Sequence, residues 1–315
     1  MNAEYSELLR TGVKKRKLVR KSNNAFMLAL TGVLTLVALV PLFWIIGYVI
    51  YKGGKSIDLN FFTQLPKPMG MAGGGVRSAI EGTLIVTLLA TLIAFVPGVM
   101  AAFYAARHPN TTMGVILRFS TDVLSGVPSI VVGLFGYALI VKPQGHYSAL
   151  AGSIALAILM LPTIIRTTEE MLKLVPSSLR EGSLALGAPE WKTSLNVLLP
   201  AALDGVITGV LLAIARAAGE TAPLLFTTLG NERFDLAAII KSGVTNHQGI
   251  FQILGRIFNS PIDSLPLTLW KYAQQPYPER VEQAWAVALV LMILVLATNI
   301  LARVWIEIRK RKLRG

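Results

Sequence analysis

The feature that most restricts this chain is a set of long apolar runs. Residues 26–50 read FMLALTGVLTLVALVPLFWIIGYVI, without a single charge. A bilayer core is about 30 Å thick, and a helix rising about 1.5 Å per residue crosses it in about 20 residues. Similar runs recur near 80–105, 116–141, 148–165, 201–229 and 284–306. Lipid offers the backbone no hydrogen-bond partners, so each run must be a helix. The expectation is an all-α integral membrane protein with six transmembrane helices. The first run is too long for a signal peptide's apolar core of about 7–15 residues, and no small-x-small cleavage site follows it. It reads as a retained anchor.

Composition agrees. Hydrophobic residues make up 53% of the chain and charged ones 15%, against about 25% charged in an ordinary soluble domain. The net charge of +13 sits mainly at the ends. Arg10, Lys14, Lys15, Arg16, Lys17, Arg20 and Lys21 precede the first run, and Arg303, Arg309, Lys310, Arg311, Lys312 and Arg314 close the last. Basic clusters beside spans mark the cytoplasmic side and meet anionic lipid, so nucleic acid is not the expected partner. Both termini are then cytoplasmic, as six spans require, in a bacterial inner membrane. Residues 51–79, 142–147 and 230–283 become external. The expected organisation is a basic tail 1–25, a first helix and loop 26–79, a transmembrane domain 80–306 with an internal loop 166–200, and a basic tail 307–315.

The chain has no cysteine and three histidines, which leaves no thiolate site and little basis for a metal site. The stretch VIYKGGKS (49–56) approximates a phosphate-binding loop, but Val49 stands where that pattern needs glycine. No nucleophile–base–acid arrangement points to an enzyme.

Small residues mark expected helix contacts: Gly126, Ser129, Gly133 and Gly136 on the third span, and the Gly205–Gly209 pair on the fifth. Pro97, Pro128 and Pro162 are expected to kink their helices. In the last external loop, Ile250, Ile253, Leu254 and Ile257 fall at helical spacing, which predicts a short amphipathic helix.

The internal loop 166–200 is too long for a turn. Ser177 and Ser178 after Pro176 suit a helix start, with Glu181 in the first turn. Gly187 suits a left-handed helix end, and Pro189 with Glu190 opens a second helix. Within this loop Glu181-Gly182-Ser183, three residues, Gly187, nine residues and Val197-Leu198-Leu199-Pro200 follow one another. That spacing resembles the EAA loop of the membrane subunits of ABC importers, with Gly182 and Ser183 replacing two alanines and Val197 an isoleucine. The stretches GVPSIVVGLFGYAL (126–139), LPTIIRTTEEMLKLVPSSLREGSLALGA (161–188), ARAAGETAPLLFTTLG (215–230) and SLPLTLWKYA (264–273) are similar to those of phosphate-specific importers, and to one of their two related permease types rather than to the PstC type. The resemblance covers most of the chain from about Gly73.

It implies the permease fold of type I ABC importers, also called MetI-like. It implies that Glu181, Gly182, Ser183, Gly187 and Pro200 belong to the segment coupling to an ATPase. It further implies a sister permease of the PstC type, two ATPase subunits of the PstB type and a phosphate-binding protein of the PstS type. No cofactor is expected on this chain, with ATP and Mg²⁺ held by the ATPase.

Arg216 and Glu220 interrupt the fifth run. On a helix at about 100° per residue they fall near the direction of Gly205, Gly209 and Ala213, toward other helices or a cavity. A mid-bilayer arginine costs about 2.5–3.5 kcal/mol on insertion scales, so the pair needs a reason. One reason is a structural salt bridge. The other is contact with a transported oxyanion, whose tetrahedral oxygens a guanidinium fork matches at any relevant pH. The resemblance favours the second. Arg166 is a further pathway candidate, against the alternative that it snorkels to the headgroups. Arg77, after AGGGV, reads as an outer-mouth anion nest or a plain linker residue. Residue chemistry alone does not separate phosphate from sulfate or molybdate, and a channel or scaffold without an ATPase is the remaining class.

Overall fold

A computed structural model describes residues 3–68, 71 and 73–314, with the backbone alone at 3–19, 302, 305, 306 and 309–314. The side chains of Arg10 to Lys17 and of Arg309 to Arg314 therefore lie outside the described ones. The chain forms two compact units, Met1–Lys52 and Gly53–Gly315. The first is built on helix α1, Ala3–Gly53, so the basic tail and first apolar run are one helix. Phe26, Leu28, Leu36, Val40, Phe43 and Trp44 are all exposed along it, a surface suited to lipid.

The second unit begins with a 3-10 turn, Gly54–Ser56, and the short helix α2, Leu59–Thr63. Helix α3 is Arg77–Arg107. Helices α4, Thr112–Gly126, and α5, Ser129–Gly136, follow. A π-helical segment, Tyr137–Val141, runs into α6, Lys142–Gln144. Helix α7 is Ala149–Lys173. Then come α8, Ser177–Ala185, and α9, Glu190–Thr193. A second π-helical segment, Ser194–Leu198, leads into α10, Leu199–Ala218. Five shorter and longer helices complete the unit: α11, Ala222–Thr227, α12, Leu236–Thr245, α13, Ile250–Asn259, α14, Leu265–Ala273, and α15, Pro278–Arg314.

Among the described residues, five helices are long and apolar enough to cross a membrane: Arg20–Ser56, Arg77–Arg107, Ala149–Lys173, Glu190–Ala218 and Pro278–Leu301. A sixth crossing exists if Thr112–Gly126 and Ser129–Gln144 count as one, because they meet at 101°. The third run is thus two helices, a sharper change of direction than the kink expected at Pro128. Pro128 supplies the reason. It has no N–H to donate, and its ring drives Val127 into the extended region, φ −70 and ψ 128. Pro97 and Pro162, by contrast, sit inside continuous helices.

The expected fifth span, 201–229, is also not one helix. α10 stops at Ala218, and Pro223 lies in the first turn of α11. The fourth is longer than expected and carries Arg166 seven residues before its end at Lys173.

The core sits where α3, α7 and α10 meet. Ala90, Ala94, Leu156, Met160, Ile164, Val206 and Ala213 are buried there. Small residues allow this closeness. A Cβ on Gly205 would collide with Met171, and one on Gly209 with Thr167, so the predicted glycine pair faces α7. On the third span, Gly133 and Gly136 pack against Pro223 and Thr227 of α11, while Gly126 faces open space. A second cluster joins Val76, Leu265, Tyr272, Ala286 and Val287 where α3 begins. The amphipathic helix appears as α13. Ile257 is buried, Ile253 packs on the core, and Ile250 and Leu254 remain exposed.

Candidate functional site

Each end of the bundle carries its own polar apparatus. At the end where α3 finishes, α8 and α9 form a helical hairpin. Gly187 turns it with φ +81, a left-handed conformation that glycine adopts without penalty, after Leu186 N has closed α8 onto Gly182 O at 3.2 Å. Pro176 and Pro189 sit at the caps before α8 and α9. The hairpin is clamped by one carboxylate. Glu190 meets Arg107 Nη1 at 2.5 Å and Arg180 Nη2 at 2.6 Å. Ser183 and Thr193 share a 2.9 Å hydroxyl hydrogen bond. Of the residues expected to couple, Ser183 thus bonds inward to α9. Glu181 and Gly182 stand exposed on α8, as do Leu179 and, just past its end, Leu186. Pro200 lies in the first turn of α10, immediately after the π-helical segment. Glu190 was expected only to open the second helix; its pairing with Arg107 and Arg180 was not read from the sequence, and Arg107 and Glu190, 83 residues apart, give no spacing signal.

Along the spans, the arginines differ in how fully they are occupied. Each nitrogen of Arg118 has a partner: Nε donates to Glu169 Oε1 at 2.7 Å, Nη2 to Ala105 O at 2.8 Å and Nη1 to Pro109 O at 3.0 Å. Glu169 is 6% exposed and also meets Lys173 Nζ at 2.6 Å. Arg166 donates to Asp122 and lies 3.6 Å from Glu170. It is half exposed and held between two carboxylates, so the structure brings it to Asp122 of α4, a partner the sequence did not single out.

Arg216 has only one ion pair among the described residues, to Glu220 Oε1 at 3.6 Å, and its side chain is 53% exposed. The pair does meet, but not along one helix face. Glu220 lies beyond the helix end, its N–H donating to Ala217 O at 3.1 Å. Nor is Arg216 within the buried stripe. Ala202, Val206, Gly209, Ala213 and Ala217 form that stripe, and Arg216 stands at its margin. Arg216 and Arg166 occupy neighbouring helices. The contact of Gly209 with Thr167 sets Arg166 about one residue from that level, and Arg216 lies seven residues further along α10, roughly 10 Å at 1.5 Å per residue.

At the opposite end, where α3 begins, Arg77 is not an open anion nest. Its Nε reaches Glu81 at 2.8 Å and its Nη2 reaches Asp235 at 2.5 Å. Asp235 at the same time caps α12 by accepting from Ala238 N at 3.0 Å. Nearby, Asp263 is fully buried. It accepts from Ser264 N at 2.9 Å and Thr268 Oγ1 at 3.0 Å, and Lys271 Nζ lies 3.4 Å away. Burial pushes this carboxyl above its usual range, while the charge of Lys271 opposes the shift. Leu265 N donates to Thr83 Oγ1 at 2.8 Å, docking the SLPLTLWKYA segment on α3.

A helical bundle with membrane-length apolar helices and a clamped helical hairpin between two of them is the architecture of an integral membrane protein with an exposed docking element. Accordingly, the chain belongs to the binding-protein-dependent transport system inner membrane component family, whose model matches residues 98–314. Among relatives, it is 41% identical over 292 residues to the phosphate transport system permease protein PstA of Yersinia pestis, covering 92% of each chain. It is 37% identical over 303 residues to the protein of the same name from Haemophilus influenzae, covering 96% of this chain and all of that one. A solved structure, an inward-facing conformation of the MetNI methionine ABC transporter, shares the fold. Its TM-score is 0.55 at 17% identity, covering 74% of this chain and 94% of that one.

Proposed function

We propose that this chain is a permease subunit of an ATP-driven importer for inorganic phosphate. The similarity over nine-tenths of the chain to phosphate permeases supports the substrate. The observation that carries the mechanism is Arg216. Its donors stay largely uncommitted, on a half-exposed side chain at the end of α10.

In this reading the end where α3 begins is external and both termini are cytoplasmic. An anion arriving from outside meets Arg216 first. Glu220, 3.6 Å from the guanidinium, holds it in place when no anion is bound and yields when one arrives. Arg166, between Asp122 and Glu170, offers a second cationic station about 10 Å deeper. The α8–α9 hairpin docks on an ATPase subunit of the PstB type, through the exposed face carrying Leu179, Glu181 and Leu186. A sister permease of the PstC type completes the pathway, and a phosphate-binding protein of the PstS type delivers from outside. ATP and Mg²⁺ are held by the ATPase.

The test is uptake of radiolabelled phosphate in cells lacking this chain and in cells given it back, with unlabelled sulfate and molybdate as competitors. Restored uptake insensitive to both competitors is the expected result. Identical uptake in the two strains would remove phosphate as the substrate.

A further inference from the structure

We propose that a cavity beneath the α8–α9 hairpin binds a phosphate group, distinct from the anion meeting Arg216. The cavity is about 250 Å³ and is lined by Arg107, Lys173, Ser177 and Arg180, with Phe103 and Leu172 in its apolar wall. That volume accommodates a tetrahedral oxyanion with room for one substituent. Three of the lining side chains are cations contributed by three different helices, α3, α7 and α8.

The charge count leaves a surplus. Glu190 is shared by Arg107 and Arg180, and Glu169 is shared by Lys173 and Arg118. The three lining cations therefore meet two carboxylates, one of them also held by Arg118 outside the cavity, which leaves at least one positive charge in excess. The surplus has free donors. Arg107 Nη1 goes to Glu190, but Arg107 Nε and Nη2 are buried with no hydrogen-bond partner among the described residues. Leaving charged donors buried and unpaired is costly; both atoms are closed off from the cavity, so the Arg107 side chain must turn toward it for a ligand oxygen to relieve that cost. Ser177 opens α8 at this cavity, and no side chain caps that helix start. Guanidinium forks and an ammonium on a flexible stem, arranged around a net positive charge, suit a phosphate anion or a phosphate ester.

Two sources present this chemistry: free inorganic phosphate and the headgroup of an anionic phospholipid. In either case the ligand would tie α8 to α3 and α7, and so stiffen the hairpin against the spans it moves. The site lies at the opposite end of α10 from Arg216, so it stands whether or not Arg216 meets the transported anion.

The experiment uses the assembled transporter carrying Arg216→Gln, which removes the pathway contribution, reconstituted in nanodiscs without nucleotide. Inorganic phosphate is titrated in phosphatidylcholine nanodiscs while thermal unfolding is followed. In parallel, unfolding and tightly bound phospholipid are measured in nanodiscs containing phosphatidylglycerol. Arg107→Gln deletes the orphan donors. Arg180→Gln, at a half-exposed side chain, keeps the Arg107–Glu190 pair and serves if Arg107→Gln does not assemble. Stabilisation by phosphate, weakened at least about tenfold by either variant, is the result expected for free phosphate. Stabilisation and lipid retention only with phosphatidylglycerol, lost in the variants, assigns the site to a headgroup. Variants that respond to both probes as their parent does, or a parent that responds to neither, would overturn the proposal.

Discussion

Adding one methyl group at Gly209 tests whether the contact of α7 with α10 sets the architecture. A Cβ there would overlap Oγ1 and Cβ of Thr167. Thr167 is β-branched, and its hydroxyl donates to Thr163 O at 2.7 Å, so rotation cannot clear the overlap. The helices must separate, and over-packing of this kind costs about 1–3 kcal/mol. At Gly205 the collision is chiefly with Cγ and Sδ of Met171, a flexible side chain that can swing aside. Gly209→Ala should therefore destabilise more than Gly205→Ala. For a unit of this size each kcal/mol lowers the melting temperature by about 2–4 °C, so Gly209→Ala should lose roughly 2–12 °C. Gly182→Ala is the control. Its Cβ meets open space, and the helix gains up to about 1 kcal/mol in propensity. Thermal unfolding of the purified complex gives the comparison. Because Thr167 adjoins Arg166, Gly209→Ala should also slow uptake. Equal melting temperatures for the two glycine variants would refute the reasoning from side-chain stiffness.

Three further outcomes follow from the same contacts. Gly187→Val forces a β-branched residue to φ +81, at a cost of about 1–3 kcal/mol, and should lower the ratio of phosphate imported to ATP hydrolysed; an unchanged ratio would count against the hairpin as the coupling element. Asp263 holds a carboxyl raised by burial, so its stabilising contribution is complete below the ordinary carboxylate range and is lost as pH climbs through the folded value. Asp263→Asn, fixed neutral, should gain in melting temperature relative to wild type as pH rises above the ordinary carboxylate range, and a gap that does not vary with pH would contradict this. Asp122→Asn removes one of the two carboxylates beside Arg166 and should change uptake while leaving assembly intact, because both side chains are more than half exposed; uptake identical to wild type would exclude this pair from the pathway.

The legible parts of this chain were those encoded locally. Apolar run length located the long helices, and Pro176, Gly187 and Pro189 marked the hairpin, because the restrictions on proline and glycine act within a residue or two. The Gly205–Gly209 pair predicted a close helix contact, and α7 provides it. Span continuity was harder to read. Val127-Pro128 and Gly219 to Pro223 lie inside runs that hydropathy scores as unbroken, yet the first run bends sharply at its break and the second is interrupted between α10 and α11. Treating 201–229 as one helix also set Glu220 on a face that ends at Ala218. The charge partnerships were not legible. Arg166 with Asp122, Arg118 with Glu169 and Arg107 with Glu190 join residues 44, 51 and 83 apart. Arg77 illustrates the same limit: a glycine run before it resembled an anion nest, whereas Glu81 and Asp235 already occupy its guanidinium.

The most direct test of the account is phosphate uptake by Arg216→Gln, measured beside the amount of assembled transporter recovered from the same membranes. Glutamine keeps much of the length and some of the donors but removes the charge. The account predicts assembly at the wild-type level, with uptake reduced to that of cells lacking the chain. Wild-type uptake by an assembled Arg216→Gln transporter would contradict it, and loss of the assembly itself would make Arg216–Glu220 a structural bridge instead.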